Sequence, residues 1–190
     1  MAAVDVLHFT GDAEADKFLA RDPLALLVGM LLDQQVPMEW AFKSPWLLRE
    51  RLGTDRLDAG RVAAMEPDAL AEVFSQKPAL HRFPASMAKR VHGLCQYIVD
   101  QYDGRTEAIW EGASNGTDLL NRLRALPGFG MQKARIFVAV LGRRLGVVPD
   151  GWEQVAADWP SVADADAPGA IERIREAKAT WKASGKTTQL

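Results

Sequence analysis

The stretch Leu126-Pro127-Gly128-Phe129-Gly130, followed by Lys133 and Arg135, is the part of this sequence best suited to holding an anion. Two glycines let a backbone turn sharply and approach a partner with no side chain in the way. The turn feeds into Ala134, Phe137, Val138 and Leu141, an apolar stripe at helical spacing, so a helix N-terminus follows it. Free N–H groups at that terminus point outward and suit a phosphate oxygen, with Lys133 and Arg135 adding charge. Phe129 can fold inward as the plug of the turn. An ordinary corner between two helices often carries Pro-Gly, but the full spacing of Leu, Pro, Gly-x-Gly and Ala is far more specific.

A carboxylate follows the second helix. Val147-Val148-Pro149-Asp150 closes an apolar run on Asp150, which taken alone reads as an N-cap for a helix beginning near Gly151. Metal and redox chemistry find little support. The single cysteine, Cys95, excludes an internal disulfide, an all-cysteine zinc site and a four-cysteine iron–sulfur cluster. His8, His81 and His92 are scattered, so no metal site is expected.

The elements that must position these groups read as helices. Asp22-Pro23 caps and opens a helix over Leu24 to Leu32. Pro37 starts another toward Leu52, interrupted at Pro45 and closed by Gly53. Glu66-Pro67 opens a short helix to about Ser75, and Pro84 a long one through Val91, Leu94, Ile98 and Tyr102 to Gly104. Thr117 caps Leu119 to Ala125, Met131 to Leu145 follows the turn, and Pro168 opens the last helix, Ile171 to about Ala183. Ser161 to Gly169 reads as the loosest joint, and the tail from Ser184 as frayed. Alternating strand-like runs are absent, so the fold class is all-α.

At 190 residues with 48% hydrophobic content, the chain suits one compact domain or two small lobes sharing a core. The N-terminus lacks the pattern of a signal peptide, and the longest apolar stretch, Leu24 to Leu32, is too short to cross a bilayer, so a cytoplasmic location is expected. The net charge of -2 argues at first against a nucleic-acid partner. It conceals an asymmetry: residues 1–76 carry a balance of -6, residues 77–147 one of +6 and residues 148–190 one of -2. A basic middle of this kind can build a phosphate-facing surface.

Together these motifs resemble the helix-hairpin-helix (HhH-GPD) DNA glycosylase superfamily. Leu126-Pro127-Gly128-Phe129-Gly130-x-x-x-Ala134 is similar to the family hairpin, and Asp150 falls where the family carries its catalytic aspartate. Leu31-Leu32-Asp33-Gln34-Gln35-Val36 is similar to the segment where a helix ends and a glutamine enters the DNA-facing cleft, most like the alkylated-purine branch. Ser86-Met87-Ala88-Lys89-Arg90 through Gly104 resembles the helix before the hairpin, so the likeness covers roughly residues 25–150.

The resemblance implies a two-lobed helical fold with a DNA-binding cleft between the lobes. One lobe would be a helical barrel over 16–145 carrying the hairpin at 117–145, the other 1–15 plus 146–190. It implies a base-excision-repair enzyme, acting as a monomer on double-stranded DNA near the nucleoid, that flips out an alkylated purine and hydrolyses its N-glycosidic bond. Asp150 would stabilise the oxocarbenium ion and orient water. Gly128, Phe129, Gly130, Lys133 and Arg135 would hold the DNA backbone. Gln34, Gln35, Gln132, Trp40 and Trp152 would serve the base pocket or intercalate, with Phe42 and His81 as further aromatic candidates. Bifunctional branches carry a nucleophilic lysine two residues after the second hairpin glycine. That position here is Gln132, which forms no Schiff base, so a monofunctional hydrolase is expected. No cofactor is implied beyond an alkali-metal ion at hairpin carbonyls, and the cysteine count excludes the iron–sulfur branch. The alternatives are a non-catalytic helix-hairpin-helix DNA-binding protein, a glycosylase for mismatched or oxidised bases, a lyase using Lys133, and an unrelated all-α interaction protein. Asp33 and Pro37, beside the glutamines, are unfamiliar in the branch, as is Gln132 in place of an aromatic.

Overall fold

A computed structural model of the chain describes residues 4–186. Every regular element among them is helical, and no strand is present among the described residues. Eleven α-helices follow in order: α1 (Ala13–Arg21), α2 (Pro23–Leu32), α3 (Met38–Leu52), α4 (Ala59–Ala63), α5 (Pro67–Ser75), α6 (Pro84–Tyr102), α7 (Ala108–Glu111), α8 (Gly116–Arg124), α9 (Met131–Leu145), α10 (Trp152–Val155) and α11 (Ala170–Ala183), with a 3-10 turn at Val162–Asp164 before the last. None is long and apolar enough to cross a membrane.

The centre of the molecule is α2, in which every residue after Pro23 is buried. Asp22 makes that burial possible at the N-terminus. One carboxylate oxygen accepts the Ala25 N–H at 2.8 Å and the other the Leu57 N–H at 2.8 Å, satisfying donors that burial would otherwise strand. Helix α3 crosses α2 closely: a Cβ on Gly29 would lie 2.5 Å from Phe42 Cδ1. Helix α6 buries Met87, Val91, Leu94, Cys95 and Ile98 along one face, so the Cys95 thiol ends fully buried. A single cluster of buried side chains runs from Leu7 to Ile174. The N-terminal segment and α11 meet around a cavity of about 510 Å³ that touches Val6, His8, Pro168 and Ile171.

Several local expectations need correction. Pro45 does not interrupt α3, which runs through it to Leu52. The neighbouring Ser44 Oγ lies 2.8 Å from the Trp40 carbonyl and 2.6 Å from that of Leu80, tying this part of the helix to the loop before α6. The cap of α8 is Asn115 rather than Thr117: its Oδ1 accepts the Asp118 N–H at 2.9 Å. The stretch from Ser161 to Gly169 is not a loose joint, because Val162, Ala163 and Ala165 are buried and the Asp164 carboxylate accepts the Ser161 N–H at 2.9 Å. Of the predicted frayed tail, residues 187–190 lie outside the described residues.

Candidate nucleic-acid interface

The hairpin forms where the sequence puts it. Leu126 and Phe129 are buried, and Phe129 stacks edge-on against Phe137 with centroids 6.1 Å apart, which makes it the plug of the turn. Its N–H is already used, donating to the Leu126 carbonyl at 3.1 Å. Gly128 holds a φ of +84°, which glycine alone adopts at little cost, and a Cβ there would lie 2.4 Å from Leu31 Cδ1. Gly130, by contrast, faces open space, and no side chain caps the first turn of α9 behind it. Among the described residues that leaves the first N–H groups of α9 without a side-chain partner at the positive end of a 15-residue helix. Pro127 and Gln132 stand exposed beside them.

Gly128 touches Leu31 because the C-terminus of α2 ends here. Lys133 crosses from α9 to the same point: its Nζ lies 2.7 Å from the Met30 carbonyl, 3.0 Å from that of Leu31 and 3.4 Å from that of Asp33. A cation on these last carbonyls completes α2, whose sequence offers no basic residue in its final turn. Burial lowers the Lys133 pKa to about 8, with Arg90 adding to the shift and Asp33 opposing it. Lys133 is therefore turned inward, unlike the phosphate ligand expected of it.

The chain then makes a tight turn through Asp33, Gln34 and Gln35. Gln34 Nε2 donates to the Leu31 carbonyl at 2.7 Å, and exposed Gln35 takes a left-handed φ of +58°. His81 pins the turn from the far side. Its Nδ1 accepts the Phe83 N–H at 3.0 Å, so Nε2 carries the hydrogen and donates it to the Gln34 carbonyl at 2.9 Å. Burial pushes the His81 pKa down, in keeping with that neutral ring. Arg90 of α6 donates to Gln34 Oε1 at 3.2 Å. Two exposed aromatics edge the turn: Trp40, 37% accessible and tied by Nε1 to the Ala79 carbonyl, and Phe83, 43% accessible, with the Arg82 guanidinium over its ring. Phe42 has no such place; it is fully buried against Phe9. Arg82 and Phe83 carry no signal in the sequence beyond the basic excess to which Arg82 belongs, and Arg90 figures there only as part of the helix resembling the one before the hairpin.

Asp150 and Trp152 lie elsewhere. The Asp150 carbonyl accepts the Gly116 N–H at 2.8 Å, which fixes the loop to the N-terminal end of α8, whereas the Gly128 turn follows its C-terminal end. The nine residues of α8 separate the two by about 13 Å along the axis. The Asp150 carboxylate is exposed and, among the described residues, makes no hydrogen bond or ion pair; around it is an open depression of about 300 Å³ formed by residues 148–154 alone. Trp152 packs flat on α9, where a Cβ on Gly142 would sit 2.2 Å from its ring. Arg135 clamps the returning chain to α9, donating to the carbonyls of Val155 at 3.2 Å and Ala156 at 3.0 Å while its guanidinium covers the Trp159 ring. These contacts, too, differ from a phosphate-binding role.

The geometry thus gathers Gly128, Gly130, Gln132, Lys133, Gln34, Gln35 and Trp40 at one end of the hairpin and leaves Asp150, Trp152 and the Arg135 head group toward the other. Among the described residues no group of three or more His, Cys, Asp or Glu gathers to hold a metal ion. No known protein-family model matches the chain, and no curated protein matches it significantly.

Proposed function

We propose that this chain is a monofunctional DNA glycosylase: it binds double-stranded DNA by the hairpin turn and hydrolyses the N-glycosidic bond of a displaced, damaged base, an alkylated purine. The observation that carries this reading is the junction of the uncapped N-terminus of α9 with the Gln34–Gln35 turn, locked by Lys133 and edged by Trp40 and Phe83. An anion site, hydrogen-bonding amides and exposed aromatic faces are what holding a duplex, filling a vacated stack and carrying a flipped base require. Arg82, Lys89, Arg90 and Arg124 stand exposed on the basic segment that bears the junction.

The amines at the hairpin favour hydrolysis without strand cleavage. Gln132 has none, and the Lys133 amine is held on three carbonyls rather than offered to a sugar. The turn also suits an alkali-metal ion: the Leu126 and Gly130 carbonyls each accept one backbone N–H and keep a second lone pair. A carboxylate must stabilise the developing oxocarbenium ion, and two compete for that role: Asp150, nominated by its spacing from the hairpin, and Asp33, at the junction itself.

The test is a panel of duplexes, each carrying one defined lesion, scored for abasic-site formation. Release of an alkylated purine, with no adduct trapped by borohydride, is the expected result. Salt-dependent duplex binding with no release from any lesion leaves the second reading, a DNA-binding module without chemistry, which the distance of Asp150 from the hairpin turn favours.

A further inference from the structure

Asp33 is a carboxylate set in the junction between the hairpin and the glutamine turn. It is the C-cap of α2: its N–H donates to the Gly29 carbonyl at 3.0 Å and its own carbonyl lies 3.4 Å from Lys133 Nζ. Both backbone groups are therefore fixed, and the side chain departs from a rigid point. The carboxylate itself is half-buried and, among the described residues, makes no hydrogen bond and no ion pair. The fully buried carboxylates Asp16 and Asp22 are hydrogen-bonded, Asp16 to the Phe9 and Thr10 N–H groups and Asp22 to those of Ala25 and Leu57. Asp33 is less buried than these and stays without such a partner among the described residues, and it adjoins Gln34, whose carbonyl and side chain are both held in place.

We propose that Asp33, rather than Asp150, is the carboxylate that faces the reacting sugar. The proposal rests on the glycosylase reading and reassigns one role within it. Asp150 is anchored about one α8 length from the hairpin turn. A purine nucleoside is shorter than that, so the two carboxylates do not serve one nucleotide. Burial raises the Asp33 pKa, with Lys178 of α11 and Lys133 opposing the shift and Glu39 adding to it. A partly desolvated carboxylate interacts more strongly with a nearby positive centre and is a better base toward water.

In the step assigned to it, the C1′–N bond breaks and its electron pair leaves on the base. Asp33 stabilises the charge that builds on C1′ and O4′. A water oxygen bonds to C1′, one of its protons remaining in the new hydroxyl. The other passes to Asp33 and from there to bulk water, because an N-alkylated purine departs neutral once it takes the electron pair, so the carboxylate is regenerated.

The test needs no knowledge of the lesion. One duplex carries a cationic pyrrolidine nucleotide in place of a sugar, its partner a neutral tetrahydrofuran nucleotide at the same position. The wild type is expected to prefer the pyrrolidine duplex by about tenfold or more. Asp33→Asn should abolish that preference with tetrahydrofuran binding intact, Asp33→Glu should restore part of it, and Asp150→Asn should leave it unchanged. A preference that survives in Asp33→Asn overturns the proposal. So does loss of the neutral duplex along with the cationic one, because a group acting on sugar charge leaves neutral binding alone. Salt-sensitive binding of both duplexes by the wild type without preference overturns it too, but leaves the DNA reading standing. Absence of any duplex binding overturns both.

Discussion

The two ends of the hairpin are built on opposite plans. At the turn end, contact between α9 and α2 runs through side chains: the Lys133 ammonium on three carbonyls and the tip of Leu31 against Gly128. At the far end the joint between α8 and the start of α10 runs through backbone and bare Cα positions. A Cβ on Gly116 would lie 2.5 Å from Trp152 Cα and 2.6 Å from the Gly151 carbonyl carbon, and the Trp152 ring fills the space over Gly142. Side-chain joints adjust by rotating bonds, whereas backbone joints have no such freedom. The far end thus acts as a rigid anchor for the chain that returns along α9. At the turn end a substitution meets side-chain tips, which shift more cheaply than main chain.

Stability measurements can break that contrast. Gly116→Ala should cost most, about 3 kcal/mol, because the added methyl meets the main chain of Gly151 and Trp152. Urea unfolding would register it as a lower midpoint at unchanged slope, and a near-neutral result would dissolve the distinction between the ends. Lys133→Met probes the turn end through pH. The folded pKa of about 8 lies below the ordinary 10.5, so between those values the unfolded chain binds the proton more tightly. Stability of the wild type relative to Lys133→Met should therefore rise with pH across that window, by up to about 3 kcal/mol, with other titrating groups cancelling in the difference. A flat difference would mean that the amine is well hydrated.

Gly128→Ala should cost less than Gly116→Ala, about 1–2 kcal/mol, from its positive φ and a Leu31 methyl able to swing aside. Thermal unfolding of the two variants side by side reads their order. Asp150→Asn should change stability by no more than about 0.5 kcal/mol, since its carboxylate is exposed and unpartnered. A larger loss in calorimetry would give that carboxylate a structural partner in solution.

The sequence carried the local punctuation of the fold. Asp22-Pro23, Gly53, Glu66-Pro67, the Met131–Leu145 limits of α9 and the inward Phe129 all follow from capping, φ preference and periodicity within a few residues. Helices α4, α7 and α10, of four or five residues, are too short to display a period. Helix α1 is longer, but the cap supplied by Asp12 was not read as one. Partners across the fold were illegible for a different reason. Periodicity says which face of α9 is apolar, but not that Lys133 reaches carbonyls about a hundred positions away, or that His81 meets Gln34. Lys133 and Arg135 look in sequence like spare charges for phosphate, and only three dimensions show both committed to carbonyls. Asp33 looks in sequence like an ordinary neighbour of the glutamines, because its place at the junction depends on the Lys133 side chain reaching the end of α2.

The buried cysteine offers a clock. Cys95 has no accessible surface, and burial pushes its thiol up to about 12, so an alkylating reagent at neutral pH finds no thiolate to attack while α6 stays packed. With one thiol in the chain, each labelling event reports a single kind of opening. The labelling rate, followed by mass with and without a duplex, then tells whether a duplex steadies the core that supports the junction.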